Sequence, residues 1–277
     1  MELSFLKLHT TGNDYLILIN QPPSFRGLAQ PAKLAATICS RQTGVGSQGL
    51  ILLEPLTPDK LKVEIIDKRG HSPSCSAAAL LCAARYAFDS GLIKERLFSL
   101  QYGLSISLLE IIDSNNIRTD LGAPQSLDEN YEVRELSEID YNRVLELAGR
   151  RLKYISLFIG CPQVVFGQDL QISRLQAKLK AESIFPSATC FSSVKVFARE
   201  ELQVRSWLPY KRSSVALPEA AGASLVAATL NGFSEREALI HLPTGDLYGE
   251  WEEKSNHLFV TAAVEYVFEG KYDYEGD

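Results

Sequence analysis

The chain has 277 residues, 45% hydrophobic and 22% charged, enough for two medium-sized lobes each with its own buried core. A net charge of −6 with no run of Lys or Arg leaves no electrostatic footprint for nucleic acid or an anionic membrane, so neither is expected as a partner. The five cysteines, Cys39, Cys75, Cys82, Cys161 and Cys190, are odd in number and form no C-x-x-C pair, and His9, His71, His241 and His257 form no metal motif. Reduced thiols are therefore expected, without metal or cofactor. Residues 1–8 lack the basic start and unbroken apolar core of a signal peptide, and no apolar stretch reaches the roughly 20 residues of a membrane helix, so a cytoplasmic protein is expected.

Taken in chain order, alternation predicts strands over Leu3–Leu8, Tyr15–Ile19, Gly49–Leu53 and Lys62–Ile66. An Ala- and Leu-rich helix follows over Ala77–Asp89, stopped by Ser90-Gly91. Strands over Leu104–Glu110 and Asn116–Leu121 lead to the turn Thr119-Asp120-Leu121-Gly122-Ala123-Pro124 and then to the acidic, loosely patterned stretch Gln125–Asp140, which marks a lobe boundary. Beyond it come strands over Ile155–Ile159, Val164–Phe166, Ser193–Phe197 and Leu202–Trp207. A second Ala-rich helix, Ala220–Leu230, is stopped by Asn231-Gly232, and a last strand runs over His257–Phe268.

The two helices belong to a repeat. Val63 precedes Ser76 by thirteen residues and Val204 precedes Leu217 by thirteen, and each pair runs from a strand through a polar loop to the start of an Ala-rich helix. Upstream, Thr11-Gly12-Asn13-Asp14-Tyr15-Leu16-Ile17 matches Ile159-Gly160-Cys161-Pro162-Gln163-Val164-Val165, each a glycine turn feeding an apolar strand. The pattern predicts a duplicated α+β unit: lobe one over residues 1–124, with a C-terminal strand of about 264–277 returning to it, and lobe two over residues 125–263. A cleft is expected between the paired helix starts, with Ser76 facing Leu217.

Several motifs resemble those of the diaminopimelate epimerases. Leu8-His9-Thr10-Thr11-Gly12-Asn13-Asp14-Tyr15 is similar to their H-x-x-G-N-D-[FY], and Arg41-Gln42-Thr43-Gly44-Val45-Gly46-Ser47-Gln48-Gly49-Leu50 to their R-x-x-G-[IV]-G-A-D-G-L. Asp120-Leu121-Gly122-Ala123-Pro124 resembles their D-M-G-x-P turn, and Val264–Gly270 their C-terminal strand, so the similarity spans essentially the whole chain. The resemblance implies two pseudo-symmetric lobes, each a mostly antiparallel, barrel-like sheet around a central helix, and an ancestry in lysine biosynthesis. It also implies a homodimer, or pairing with an active homologue.

The family inverts the α-carbon of a free amino acid without a cofactor, one cysteine thiolate removing the Cα proton and a second cysteine returning one. Each sits just before a helix N-terminus, in C-G-N-G and C-G-T-G, where backbone N–H groups hold the substrate carboxylate and lower the thiol pKa. Aligned on Cys82, Ala84, Arg85 and Tyr86, the first motif places Ser76 at the cysteine, with Ala77 and Ala78 after it. A one-residue shift would bring in Cys75 but moves Cys82 and Arg85 out of register. In the second motif Leu217 stands at the cysteine, followed by Pro218 and Glu219, and no cysteine follows Cys190.

The substrate-holding residues differ too: the family's E-R reads Leu208-Pro209, its N-P-H reads Cys161-Pro162-Gln163, and the asparagine of its N-A-D-G reads Asp67 in Asp67-Lys68-Arg69-Gly70. Asn13 alone is clearly retained, as a ligand contact or simply as a turn residue. A Ser hydroxyl without an activating partner is no base at neutral pH, so two-thiol epimerisation is expected to be absent. Ser76 is read in preference as an ordinary helix N-cap.

Three readings follow: a degenerate homologue with a structural, regulatory or partner role; a cofactor-independent isomerase using other bases, with Asp67, His71 and Glu219 as candidates; and a module that binds a small amino-acid-like ligand through Asn13, Ser76, Ala77, Ala78, Gln163, Pro218 and Glu219.

Overall fold

A computed structural model describes residues 2–19, 30–73, 76–127, 132–136, 143–147, 149–167, 170, 172–181, 185–186, 188–208 and 214–274. The chain forms two compact lobes, the first from residues 1–119 and 262–277 and the second from residues 120–261.

Lobe one opens with the hairpin β1 (Glu2–Thr10) and β2 (Asn13–Leu18), whose two-residue loop places Thr11 and Gly12 at positive φ. After α1 (Pro31–Ile38), β3 (Gly49–Thr57) lies parallel to β2 and antiparallel to β4 (Lys60–Asp67). Then come α2 (Ala77–Asp89), β5 (Leu97–Tyr102) parallel to β4, β6 (Ser105–Ile111) antiparallel to β5, and β7 (Asn116–Asp120).

Lobe two begins with the short pair β8 (Gln125–Leu127) and β9 (Val133–Glu135) and the strand β10 (Arg143–Leu147). It then repeats the plan of lobe one. β11 (Arg150–Ile159) and β12 (Cys161–Phe166) form a hairpin through Gly160 at positive φ. After α3 (Ile172–Ala181), β13 (Cys190–Ala198) runs parallel to β12 and antiparallel to β14 (Glu201–Trp207). Next are α4 (Pro218–Leu230), β15 (Glu237–Leu242) parallel to β14, and β16 (Gly245–Trp251) antiparallel to β15. β17 (Leu258–Ala263) precedes β18 (Glu265–Asp273), which pairs antiparallel with β1 and so belongs to lobe one.

The same senses of pairing recur in the same order, and the sheet registers match. Gly49 lies beside Tyr15 where Cys190 lies beside Gln163, and Val63 opposes Leu53 where Val204 opposes Val194. The predicted duplication is thus a property of the fold.

Each lobe has the same layers. α2 touches β1, β2, β3, β4 and β6, and α4 touches β11 through β16. A helix with sheet around it buries most of its surface, which is why α2 is buried from Ala77 through Ala84 and α4 from Pro218 through Ala228. Small residues let the strands close in: a Cβ on Gly222 would lie 2.6 Å from Leu258 Cδ2. The helices stop where expected, with Gly91 and Gly232 at positive φ one residue past the caps. The other two helices cover a different face of the sheet. Leu34, Ala35 and Ile38 of α1 pack on Leu16, Leu50, Leu52 and Ile66, and Ile172 and Leu179 of α3 pack with Tyr154, Phe166, Phe191 and Trp207.

Three expectations need correction. α1 and α3 were not anticipated, although Ile172, Leu175 and Leu179 carry helical spacing; α1 is too short, at eight residues, to show a period. The stretch after residue 124 contains β8 and β9 rather than irregular chain alone. The single strand expected over His257–Phe268 is two, broken at Val264, whose N–H bonds to Asn115 O. Among the described residues no helix is long and apolar enough to cross a membrane.

Candidate functional site

In lobe one the chain enters α2 through Ser76, which holds the N-cap position with φ and ψ of −168° and 70°. No side-chain cap bond forms, which overturns the N-cap reading. Ser76 Oγ lies instead 3.0 Å from the hydroxyl of Tyr15, a residue 7% exposed at the start of β2. Ala77 and Ala78, the first two residues of α2, are buried. Cys75, the alternative thiol, lies outside the described residues, as does Pro209.

Asn13 is 3% exposed and tied within the protein. Its Nδ2 donates to Thr11 Oγ1 at 3.3 Å and Thr10 O at 3.4 Å, and its Oδ1 accepts from Gln48 Nε2 at 2.9 Å. Next to it, Asp14 accepts from Arg41 at 2.5 Å and pairs with Lys7 at 3.0 Å. Burial alone would raise the Asp14 carboxyl, but these two cations hold it below the usual carboxylate value. The R-x-x-G loop is thereby pinned to the first hairpin. A Cβ on Gly44 in that loop would overlap the backbone oxygens of Thr37 and Ile38, so the glycine permits a close backbone approach.

Asp67 ends β4 by capping its own loop, with Oδ1 accepting the backbone N–H groups of Arg69 at 2.8 Å and His71 at 2.9 Å. The His71 ring itself is exposed. The carboxylate is held as a turn-former, and the imidazole follows it on the same loop.

In lobe two the entry to α4 is apolar. Leu217 is the extended N-cap residue, Pro218 occupies the first turn, and Leu217 packs against Cys190, Leu208, Val215 and Ala220. Glu219, 5% exposed, also lies in this first turn. Gln163, fully buried at the start of β12, donates from Nε2 to Cys161 Sγ at 3.1 Å, and its Oε1 has no hydrogen-bond partner among the described residues. Ser192 and Ser206 share a buried hydroxyl contact of 2.8 Å across β13 and β14.

The four described cysteines are buried thiols that take part in no disulfide. Burial pushes the Cys39 thiol up to about 11 despite a hydrogen bond from Ser47, and pushes Cys82 up as well. Neither is a thiolate at neutral pH. Among the described residues no group of three or more His, Cys, Asp and Glu side chains is placed to hold a metal ion.

No protein-family model matches the chain. It is, however, 30% identical over 280 residues to the diaminopimelate epimerase of Acetivibrio thermocellus, an alignment covering 98% of this chain and 99% of that one. The chain belongs to the diaminopimelate epimerase family. Its fold extends beyond that family. A probable proline racemase from Agrobacterium radiobacter matches with a TM-score of 0.68 at 12% identity, covering 99% of this chain and 93% of that one. A phenazine-biosynthesis family protein from Enterococcus faecalis matches with a TM-score of 0.68 at 11% identity, over 99% and 100%.

Within this divergent diaminopimelate epimerase homologue, each lobe gathers its own residues. Lobe one brings Ser76 against Tyr15 and Asn13 against Gln48, and places Asp67 and His71 on one loop. Lobe two sets Leu217, Pro218 and Glu219 at the start of α4. Tyr15 and Gln48 were missed as partners. The repeat held the signal for Tyr15, because it occupies in lobe one the position of Gln163 in lobe two.

Proposed function

We propose that this protein is a diaminopimelate epimerase homologue that does not carry out two-thiol epimerisation and serves a structural, regulatory or partner role. The reading is carried by Leu217, which occupies the N-cap of α4 and packs into an apolar cluster where the family has a proton-transferring thiol. Ser76 supports it from lobe one, since its hydroxyl is engaged by Tyr15 rather than by a base. Losing one general base costs roughly 10²–10⁴ in rate, and here both are replaced. The factors do not multiply, but the remaining activity falls far below that of a working epimerase.

The test is α-proton exchange in deuterium oxide followed by NMR, with the purified protein and a panel of free amino acids that includes LL- and meso-diaminopimelate. No exchange above the buffer control is expected. Exchange that survives purification and disappears on heat denaturation would overturn the proposal.

A second reading, a cofactor-independent isomerase using a non-thiol base, is favoured by one observation: the Glu219 carboxyl is 5% exposed in the first turn of α4. A buried carboxyl is a candidate acid or base. Exchange by the wild type that is lost in Glu219→Gln and kept in Asp67→Asn would select this reading.

A further inference from the structure

We propose that Asn231, at the C-terminal end of α4, is a latent site of covalent self-modification, in which the Gly232 nitrogen converts the side-chain amide to an acid, and that the folded helix cap holds this reaction off. The site is independent of the proposed function. Among the asparagines of the chain only Asn231 precedes a glycine. Without a Cβ, Gly232 leaves its backbone nitrogen open to the neighbouring side chain. A bond from that nitrogen to Asn231 Cγ closes a cyclic imide and breaks the bond from Cγ to Nδ2. The side-chain nitrogen leaves as ammonia, the glycine N–H proton reaching it through solvent. Water then adds to one of the two imide carbonyls and breaks its bond to nitrogen, leaving aspartate or isoaspartate at this position.

The fold engages both reacting nitrogens. Gly232 N–H donates to Thr229 O at 2.9 Å, and an amide held this way gives up its proton only when the bond opens. Asn231 Nδ2 donates to Ala227 O at 2.9 Å, which holds the side chain back along the helix. With Phe233 N–H on Ala228 O at 2.9 Å and Gly232 at φ 71°, the segment is a complete Schellman cap. A clamp from outside the helix keeps it closed. Arg199, in the turn after β13, donates from Nη1 to Gly232 O at 3.2 Å and pairs through Nε with Glu235 at 2.5 Å. Thr229 Oγ1 lies 2.8 Å from Glu235 O, tying the departing chain to α4.

The duplication shows that the amide is not needed for capping. α2 ends in the same way, with Ser90 at the cap, Gly91 at φ 72° and Ser90 Oγ donating to Tyr86 O at 2.7 Å, four residues back as Ala227 is from Asn231. Lobe one thus caps its helix with a hydroxyl that has no such chemistry. In lobe two the conversion is not neutral. A carboxylate places negative charge at the C-terminal end of α4, where the helix dipole disfavours it, and cannot donate to Ala227 O. The isoaspartyl form also inserts a carbon into the backbone before Gly232 and breaks the register of the cap. A chain that opens here and reacts does not regain the same cap, so the change is a one-way record of opening in lobe two.

The test is incubation of the full chain in mildly alkaline buffer, native and in urea, read by peptide mapping with mass spectrometry and by ammonia release. In urea Asn231 is expected to convert ahead of every other asparagine. In the native chain its conversion should be about tenfold slower or more, because it must wait for a local opening. Arg199→Gln and Thr229→Val each release part of the clamp and should speed native conversion roughly threefold to tenfold, what the loss of one hydrogen bond is worth, with the circular dichroism unchanged. Asn231→Ser, which copies Ser90, should remove the modified peptide and keep the fold. Equal rates in the native and urea-unfolded chain, no conversion of Asn231 in urea, or a native rate that neither clamp variant moves would overturn the proposal.

Discussion

The Ser76 hydroxyl stands at the start of α2 yet bonds sideways, to Tyr15, and that choice decides what the residue can do. A hydroxyl shared between two side chains is worth roughly 0.5–1.5 kcal/mol, comparable to a helix cap, so stability alone does not tell the two apart. A double-mutant cycle does. Ser76→Ala and Tyr15→Phe are expected to couple by roughly 0.5–1.5 kcal/mol in urea denaturation; if Ser76 capped the helix instead, the two losses would simply add. The contact joins residues 61 positions apart, and nothing local in either stretch announces it. Leu217 differs in this respect. Its apolar character was legible at once, and packing on Cys190, Leu208, Val215 and Ala220 is what such a side chain does when strands are near.

The central helices show the balance between propensity and packing most clearly. Gly222 in α4 lowers helix propensity by roughly 1 kcal/mol relative to Ala, yet an added Cβ would lie 2.6 Å from Leu258 Cδ2, on a side chain with no exposed surface. Overpacking a closed core costs roughly 1–3 kcal/mol, so Gly222→Ala should lower the urea midpoint. A raised midpoint would mean that Leu258 can move aside. α2 and α4 were legible because each is a continuous Ala- and Leu-rich run closed by a polar residue and a glycine in the left-handed region. The spacing from Val63 to Ser76 and from Val204 to Leu217 carried the repeat for the same reason: it counts residues between fixed points of the fold. The helix α1 and the hairpin of β15 and β16 were not legible. The first offers barely two turns, and the second mixes charged residues into both strands, with His241 bonded to Asp246 across the hairpin and to Glu201 of β14. The break at Val264 escaped because alternation runs through it unchanged, while the tertiary bond to Asn115 that interrupts the strand leaves no mark in the sequence.

For the molecule as a whole, acid and base act on separate seams. His241 places Nδ1 at 2.9 Å from Asp246 and Nε2 at 3.0 Å from Glu201, and only the imidazolium has a proton for each. Its pKa is raised, first by the Asp246 hydrogen bond and then by that of Glu201. The contribution to stability is therefore complete below the unfolded value of 6.5 and is lost as pH rises through the higher folded value. His241→Gln should cost stability at about pH 6 and cost less with each step into the alkaline range; a difference that grows with pH would reverse the assignment. Asp14 works the other way. Its pKa is lowered in the folded chain, so its pairing with Arg41 and Lys7 stabilises above the unfolded value of 3.8 and is lost as pH falls through the lower folded value. Asp14→Asn should narrow the gap to the wild type as the solution is acidified, read from thermal midpoints.

β18 joins lobe one although lobe two lies between it and the rest of that lobe in the sequence, with Glu2 opposite Asp273 and Leu6 opposite Glu269. During synthesis from the N-terminus, lobe two leaves the ribosome complete while the first lobe still lacks its closing strand. Until then β1 is paired, among the described strands, with β2 alone and offers its other edge to any strand that passes, including the β1 of a neighbouring nascent chain. Translation truncated at residue 261 should accordingly give a folded second lobe tethered to an aggregating first one.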